Sequence, residues 1–410
     1  MKKLKTLFSP RKLFLWIFLI VLIITVPEVT RPAMSQTEAI VTMMCIDKKE
    51  DDVQVSTIVL TPAMEKTANY EVYSGQGKTV GEAVENISLA IGKSMGFAQC
   101  EIMAFGDKIA EEGIMASLDF MTRTRKVGRN AILINFSGEI EKFAQAIVNL
   151  NIEKSLQIEN IMNFDNRFIL SKESNIHSFY KGYFSEISLG LMPKIKLETE
   201  NLGDAIEVQD SSSGSGSSTE PGSGSGDNKK EYILNDGTTC IFKQGKKTNE
   251  LTPEQVKKVN IFLNESQEGV IKAENVDDDL YNNATVLLNV TKKGLNFKSR
   301  FEDGKPKFEI GIELTLLVEE VDEEKPNKEF LKRNKEFLTE ALVKKIEETV
   351  KADAYEIIDF CKTNNIDLMQ TYEYFYRFNY KEFKKYFEQE KENYLNPIDF
   401  SISVKVNSTY

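Results

Sequence analysis

A run of glycine and serine residues divides the chain into two parts. Residues 210–227 read DSSSGSGSSTEPGSGSGD, and we place the linker at 206–230. Such residues bury almost no apolar surface, so the run is typical of a flexible linker and predicts a domain boundary. The 410 residues are enough for roughly two to four domains. We expect separate cores on the two sides, and no ligand-binding cleft lined by both.

An apolar run near the N-terminus, within residues 1–33, predicts membrane contact. Basic residues precede the run, which extends from Leu13 to Val26, so the rest of the chain is expected on the exported side. Its length is below the about 20 residues of a full span and favours a cleaved signal peptide. The lack of a clean A-x-A cleavage site favours a retained anchor, and the residues alone leave both open. The predicted anchor residues are Leu13, Phe14, Trp16, Ile17, Phe18, Leu22 and Val26.

The composition argues against several classes of function. A net charge of −11 argues against a nucleic-acid partner, because a negatively charged chain repels phosphates. The one histidine, His177, excludes multi-histidine metal sites, and no G-x-S-x-G motif accompanies it. No C-x-x-C occurs among the cysteines, so zinc and redox signatures are absent, and any disulfide pairing stays open. We therefore predict no catalytic residues, no metal and no cofactor.

The sequence GQGKT at 75–79 is similar to the end of a phosphate-binding loop. That motif requires a glycine at position 72, where this chain has Val72. A β-branched residue resists the positive φ that glycine adopts freely. We therefore interpret GQGKT as a glycine-rich turn that leads into a helix.

Two groups of charged residues are better explained as surface features than as sites. Asp277, Asp278 and Asp279 lack the 12-residue calcium-loop pattern, so a solvated turn is favoured over a calcium site. The second group is predicted to lie on a helix surface, where charges three or four residues apart are neighbours. It comprises Glu111, Glu112, Asp119, Arg123 and Arg125.

The hydrophobic patterns predict an α+β, multidomain protein. Alternating strands and helices at 34–205 predict a mixed α/β domain, including one helix at 109–121. Mainly antiparallel strands and a long helix are predicted after the linker. They form a middle α+β domain at 231–325 and a helix-rich domain with a closing strand at 326–410. Separate strands are expected at 284–291 and 295–300, and the long helix at 328–351.

Aromatic residues are concentrated in YEYFYRFNYKEFKKY, residues 372–386. Tyrosine is favoured where one end of a side chain is apolar and the other wet, as at a membrane interface or a partner surface. Packing within a small core explains part of the pattern equally well. The candidate partner contacts are Tyr372, Tyr374, Phe375, Tyr376, Phe378 and Tyr380.

The order of four segments along the chain resembles the Ger(x)C family, the C subunits of nutrient germinant receptors in spore-forming bacteria. The best-marked segment begins GKTVGEAV at Gly77 and contains Leu118-Asp119-Phe120 and Arg123, which match a family stretch. Asp359 and Phe360 match the family's tail motif. The four segments are Glu38–Pro62, Gly77–Gly138, Cys240–Phe262 and Lys351–Phe387.

This resemblance implies a non-catalytic subunit at the outer face of the inner spore membrane. Its partners would be the membrane, a multi-pass A subunit and a transporter-like B subunit, with the nutrient bound by another subunit. Family members carry a lipobox cysteine after the apolar run, but this chain reads VPEVTRPAMSQTEA there. Lipidation is therefore not expected, and a retained anchor is favoured. The alternative is an exported solute-binding or envelope protein unrelated to germination.

Overall fold

The computed structural model describes residues 38–61, 69–124, 127–149, 174–201, 229–234, 237–262, 269–322 and 338–408. The predicted anchor at 13–26, Arg125 and the glycine-serine run at 210–227 lie outside these ranges. Within them, no helix is both long enough and apolar enough to cross a membrane.

The helices and strands alternate before the linker, and long strands follow it. The strands are β1 (Glu38–Lys49), β2 (Asp52–Thr61), β3 (Asn69–Gly77), β4 (Ser94–Gly96), β5 (Ile102–Gly106), β6 (Ile132–Ser137), β7 (Leu189–Asn201), β8 (Lys229–Leu234), β9 (Thr239–Lys243), β10 (Lys246–Leu251), β11 (Gly269–Val276), β12 (Ala284–Glu302), β13 (Lys305–Asp322) and β14 (Asp399–Ser408). The α-helices are α1 (Val80–Ile91), α2 (Asp107–Glu112), α3 (Met115–Thr124), α4 (Ile140–Asn149), α5 (Ile176–Tyr183), α6 (Pro253–Phe262), α7 (Glu340–Asn364), α8 (Thr371–Phe378) and α9 (Tyr380–Glu390).

The larger sheet has the strand order β10-β9-β7-β6-β5-β1-β2-β3, with β4 beside β1 and β8 beside β7. Its centre is parallel, because β1 pairs with β5, β5 with β6, and β6 with β7 in parallel. Side chains of α1, α3 and α5 pack on one face of this sheet, and α4 packs on the other. Two helical layers therefore cover the central strands, as parallel sheets require.

Gly75, Gln76 and Gly77 of the segment GQGKT belong to strand β3, where they pair with β2, and only Lys78 and Thr79 connect this strand to a helix. The side chain of Thr79 caps α1 by accepting the Glu82 N–H at 3.2 Å. Gly75 lies so close to α1 that an added Cβ would be 2.6 Å from the Ala83 carbonyl oxygen. The Lys78 ammonium pairs with Asp52 at 2.5 Å. The glycines thus allow β3 to pack tightly against α1. The predicted helix start at Thr79 is confirmed, but the glycine-rich turn was wrong, because both glycines are needed as strand residues close to the helix.

The smaller sheet has the strand order β11-β12-β13-β14, and one helix packs against it. Strands β12 and β13 form a long hairpin whose two-residue turn, Asp303 and Gly304, has positive φ at both positions. Asp-Gly is suited to such a turn because both residues tolerate that backbone. Helix α7 contacts both edge strands, β11 and β14, and buries Ile346, Val350 and Ile357 against the sheet.

Three predicted boundaries were wrong. The helix expected at 109–121 is divided into α2 and α3 by Gly113, whose φ of 129° is not helical. The two strands expected at 284–291 and 295–300 are one strand, β12, since β13 pairs with it continuously through Gly294. The long helix begins at Glu340, where Thr339 caps it, and extends to Asn364 rather than ending at 351. Residues 323–337 lie outside the described ranges.

The larger sheet contains strands from both sides of the linker. Residues Leu189–Pro193 of β7 pair antiparallel with β9, which follows the linker. Within β9, Cys240 and Phe242 pack in the core of the larger sheet, whereas Ile241 packs in the core of the smaller sheet. The predicted α+β class, with an α/β N-terminal part and a strand-rich C-terminal half, is confirmed. The domain limits at 34–205, 231–325 and 326–410 stay predictions.

A small cleft is lined by residues from both sides of the linker, and the expectation that no ligand-binding cleft spans the linker stays a prediction. Its volume is about 70 Å³, and Glu186 and Leu189 line it together with Lys243, Asn365 and Tyr394. The physical reason is the pairing of β7 with β9, which brings the two sides into one sheet.

Candidate functional site at the carboxyl ends of the central strands

The carboxyl ends of the parallel strands are where an open α/β sheet most often places a site. Asp107 follows β5 directly, and Ser137 is the last residue of β6. Lys194 lies on the neighbouring strand β7, and β10 contributes Lys247 and Glu250 from beyond the linker. Strand order therefore brings these residues together, although they are far apart in sequence.

Asp107, Lys194, Lys247 and Glu250 form a network that we call the ionic cluster. The Lys194 ammonium donates to Glu250 Oε1 at 2.6 Å and lies 3.6 Å from Asp107 Oδ1. The Lys247 ammonium donates to Asp107 Oδ1 and lies 3.3 Å from Glu250 Oε1. The lysine side chains are 10% and 8% exposed, whereas those of Asp107 and Glu250 are 33% and 37% exposed. The cations are thus buried behind a rim of carboxylates.

Polar neighbours complete the hydrogen bonding around the cluster. The Ser137 hydroxyl donates to Asp107 Oδ2 at 2.8 Å. The Cys240 thiol donates to Asn135 Oδ1 at 3.2 Å, and the Asn135 amide donates to the Phe105 carbonyl at 2.9 Å. Buried polar groups with hydrogen-bond partners avoid the desolvation cost of unpaired ones. These hydrogen bonds therefore stabilise the contact between β5, β6 and β9.

The electrostatics keep the cluster ionised. Burial acts to raise the pKa of Asp107, but hydrogen bonds from Lys247 and Ser137 hold that pKa below its usual value. Burial acts likewise on Glu250, yet the bond from Lys194 lowers the pKa of Glu250. The pKa of Lys247 is raised, because its carboxylate partners outweigh burial. None of these three groups is therefore poised to exchange a proton near neutral pH.

Asp47, at the end of β1, has a structural role beside the cluster. Its Oδ1 accepts the Ile109 N–H at 3.2 Å, which ties β1 to α2. Gly106 lies so close that an added Cβ would overlap the Asp47 carboxyl group. Burial raises the pKa of Asp47, although hydrogen bonds from the Lys48 and Ile109 backbone oppose this shift.

The cysteines do not form a nucleophilic or metal site. All four lie in described ranges, buried and without a disulfide. Burial raises the pKa of Cys100, Cys240 and Cys361 to about 12, and that of Cys45 still further, so the thiols stay protonated. In the part of the chain that the structure describes, no three His, Cys, Asp or Glu side chains are grouped for a metal ion.

Of the charged residues singled out from the sequence, Glu111 borders the ionic cluster, with its Oε1 3.8 Å from the Lys247 ammonium, whereas the residues below lie elsewhere. His177 is exposed on α5. Asp278 accepts the Tyr281 N–H at 2.9 Å and the Thr339 hydroxyl at 2.5 Å, so it links a turn to the start of α7. Asp119 and Arg123 form an exposed i,i+4 ion pair at 2.7 Å, as expected for a helix surface.

The candidate aromatic contacts are divided between the core and the surface. Tyr372 and Phe375 are buried, at 7% and 0% exposure. Tyr374 is half-buried and packs against Phe308 with ring centroids 5.7 Å apart. The exposed members are Tyr376, Phe378 and Tyr380. Core packing therefore accounts for part of the stretch, and the exposed rings remain candidates for partner contact.

The ionic cluster itself was not predicted from the sequence. Its residues form no short motif, and the bonded pair Asp107 and Lys247 is separated by 140 positions. One local signal was present, since Lys194 interrupts the apolar strand GLMPKIKL. A buried lysine within a strand indicates a carboxylate partner, but not which one.

The cluster predicts a loss of stability in acid. The pKa values of Asp107 and Glu250 are lower in the folded protein, so their stabilisation is present above the unfolded values of 3.8 and 4.5 and is lost as pH falls through the folded values. Between about pH 7 and about pH 3, the free energy of unfolding should fall less in the variant Asp107→Asn/Glu250→Gln than in the unmodified protein. The expected difference is on the order of 1 kcal/mol after allowance for solvent screening. Chemical denaturation of both proteins at the two pH values measures this difference. Equal acid dependence would contradict the assignment.

Two family models match the chain. "Spore germination protein N-terminal domain" matches residues 36–197, and "Spore germination B3/ GerAC like, C-terminal" matches residues 237–409. The ionic cluster joins these two regions, because Asp107 and Lys194 lie in the first and Lys247 and Glu250 in the second.

A solved structure shares the fold. It is described as the crystal structure of the GerBC protein and superposes with a TM-score of 0.50 over 90% of this chain and 97% of that chain. At 13% sequence identity, this similarity concerns the fold alone. No curated protein matches the chain.

Proposed function

Since the chain belongs to the Ger(x)C family of spore germination proteins, we propose that it is the C subunit of a nutrient germinant receptor. The observation that carries the proposal is the match of both family domains, in order, to residues 36–197 and 237–409. The shared fold with GerBC is consistent with it.

The subunit is non-catalytic in this proposal. The ionic cluster supports a structural role, since its carboxylates and ammonium groups are paired with one another. The protonated thiols supply no nucleophile. The cluster and the β7–β9 pairing join the two family domains, so the exported part would act as one rigid body beside its partners.

The proposed partners are the membrane and the A and B subunits of the receptor. The apolar run Leu13–Val26 would anchor the chain, with the remainder at the outer face of the inner spore membrane. The nutrient would bind another subunit. The cleft of about 70 Å³ is smaller than typical small-molecule pockets of about 300–1,000 Å³, so we do not assign the nutrient to it.

Deletion of the gene is expected to abolish the response of spores to the nutrients sensed by this receptor. Release of the spore-core chelate would be followed after nutrient addition, and separately after a chemical trigger that bypasses receptors. We expect loss of the first response, preserved release with the trigger, and restoration by the intact gene. Loss of both responses would contradict a receptor role, because it would indicate a general defect of the spore.

If the deletion strain responds normally, a second receptor could be responsible, and co-purification then tests the proposal directly. The tagged chain, isolated from spore membranes, should carry A and B subunits. Their absence would contradict the proposal. A reproducible thermal shift with one amino acid or sugar would instead support the solute-binding alternative, since ligand binding raises stability by RT ln(1 + [L]/Kd).

A further inference from the structure

The junction of α8 and α9 exposes three large aromatic side chains. Tyr376, Phe378 and Tyr380 are 48%, 62% and 46% exposed, and we call them the corner aromatics. Tyr376 and Tyr380 contact each other edge to face, with ring centroids 5.1 Å apart. The two tyrosines thus form one apolar contact, while Phe378 stacks on Tyr374 with ring centroids 6.2 Å apart, at the end of one helix and the start of the next. The cleft described above is lined by other residues.

A fixed base supports the corner aromatics. Beneath them, Phe375 and Phe383 are buried and stack at 5.2 Å. The N-terminus of α8 is held by Asp367, whose carboxylate accepts the Thr371 and Tyr372 N–H groups, each at 2.9 Å. At the junction, Asn379 Oδ1 accepts the Ser299 hydroxyl at 2.7 Å. The exposed rings are therefore presented by an ordered part of the core.

Four cations close in sequence to these rings have no ion-pair partner among the described residues. They are exposed, and no carboxylate of the described residues lies within 4 Å of their charged nitrogens. Between Tyr376 and Lys385 the sequence contains four cations and one carboxylate, Glu382, although the whole chain carries a charge of −11. The four cations are Arg377, Lys381, Lys384 and Lys385.

Rings and cations together match the chemistry of one surface. Aromatic side chains, tyrosine in particular, lie at the headgroup level of bilayers, and lysine and arginine extend their charged ends toward anionic lipids. Each cation near an anionic membrane raises affinity by roughly fivefold. A bilayer requires no matching groove on the protein that it binds. We propose that the α8–α9 corner docks onto the surface of an anionic lipid bilayer, in addition to the anchoring that the proposed function assigns to the apolar run.

The test places one indole at the corner of the full-length chain. Trp16→Phe removes the native tryptophan, and Phe378→Trp introduces the probe. The protein is reconstituted into vesicles of phosphatidylcholine, or of equal parts phosphatidylcholine and phosphatidylglycerol. In the anionic vesicles we expect a blue-shifted emission and at least about a twofold fall in acrylamide quenching. Adding Lys381→Gln, Lys384→Gln and Lys385→Gln should return the quenching to the phosphatidylcholine value.

A probe elsewhere on the surface provides the control. Leu89 on α1 is 74% exposed and lies outside the corner, so the quenching of Leu89→Trp should be the same in both kinds of vesicle. Unchanged quenching of the Phe378→Trp probe, or equal protection of both probes, would contradict the proposal. Protection in spore membranes but not in lipid vesicles would assign the corner to a protein partner instead. The receptor role is tested separately by the co-purification, so failure of that proposal can be distinguished from failure of this one.

Discussion

Replacing Lys247 by methionine is expected to lower the free energy of unfolding by about 2–3 kcal/mol. The methionine keeps the apolar stem but removes the ammonium group that bonds to Asp107 and lies 3.3 Å from Glu250. Lys194 alone would then face both carboxylates. Removing one partner of a buried ion pair is costly because the remaining charge stays desolvated, and here partial exposure of the carboxylates reduces that cost.

The neighbouring residue gives a matched control. Lys246 lies on the same strand, β10, but is exposed, so Lys246→Met should change stability by no more than about 0.5 kcal/mol. Urea denaturation measures the total effect, and hydrogen exchange locates it. We expect the amides of β9 and β10 to exchange faster in Lys247→Met than in Lys246→Met. Equal effects of the two variants would mean that the cluster does not stabilise the contact between the two family domains.

The variant Phe308→Ala is expected to destabilise the smaller sheet by about 3–5 kcal/mol. Phe308 is fully buried, and its ring centroid lies 5.9 Å from that of Phe375 and 5.8 Å from that of Phe400. Truncation to alanine leaves a cavity among rings that belong to β13, α8 and β14. Because these elements cannot all move inward, the lost contacts are only partly recovered.

A phenylalanine at the surface serves as the comparison for this core residue. Phe378→Ala removes the same atoms from a side chain that is 62% exposed, so we expect a loss of no more than about 0.5 kcal/mol. Thermal unfolding followed by near-ultraviolet circular dichroism distinguishes the two variants. Similar losses would show that the stability of the aromatic core does not depend on the packing of Phe308.

Local patterns predicted the fold where the local signal is complete. Helix α1 has both an apolar stripe and a capping threonine, Thr79, and it forms as expected. The limits of α7 were wrong because its stripe continues through Ala354, Ile357 and Cys361 to a left-handed residue, Asn365. Asparagine tolerates that conformation, but an asparagine in the sequence does not by itself predict the end of a helix.

The functional residues depend on strand order, which local patterns do not contain. The ionic cluster needs β7, β9 and β10 to be neighbours, although the linker separates β7 from the other two. A glycine-serine run indicates a flexible linker, but it does not indicate which strand before the linker will pair with the strands that follow it. The corner aromatics were partly predictable, because aromatic density is visible in the sequence, whereas the division between buried Phe375 and exposed Phe378 depends on the packing of β12 against α8.

The pairing of β7 with β9, on opposite sides of the linker, also sets an order of events during synthesis. The residues of β7 that pair with β9 have no partner on that side until the ribosome has made the chain through Lys243. On the order of 50 residues separate Pro193, the last of these β7 residues, from Lys243, which corresponds to roughly 3–10 s of translation. For that interval the nascent chain carries an open strand edge of the kind that aggregates. Export machinery or chaperones that engage the chain in this interval would protect that edge.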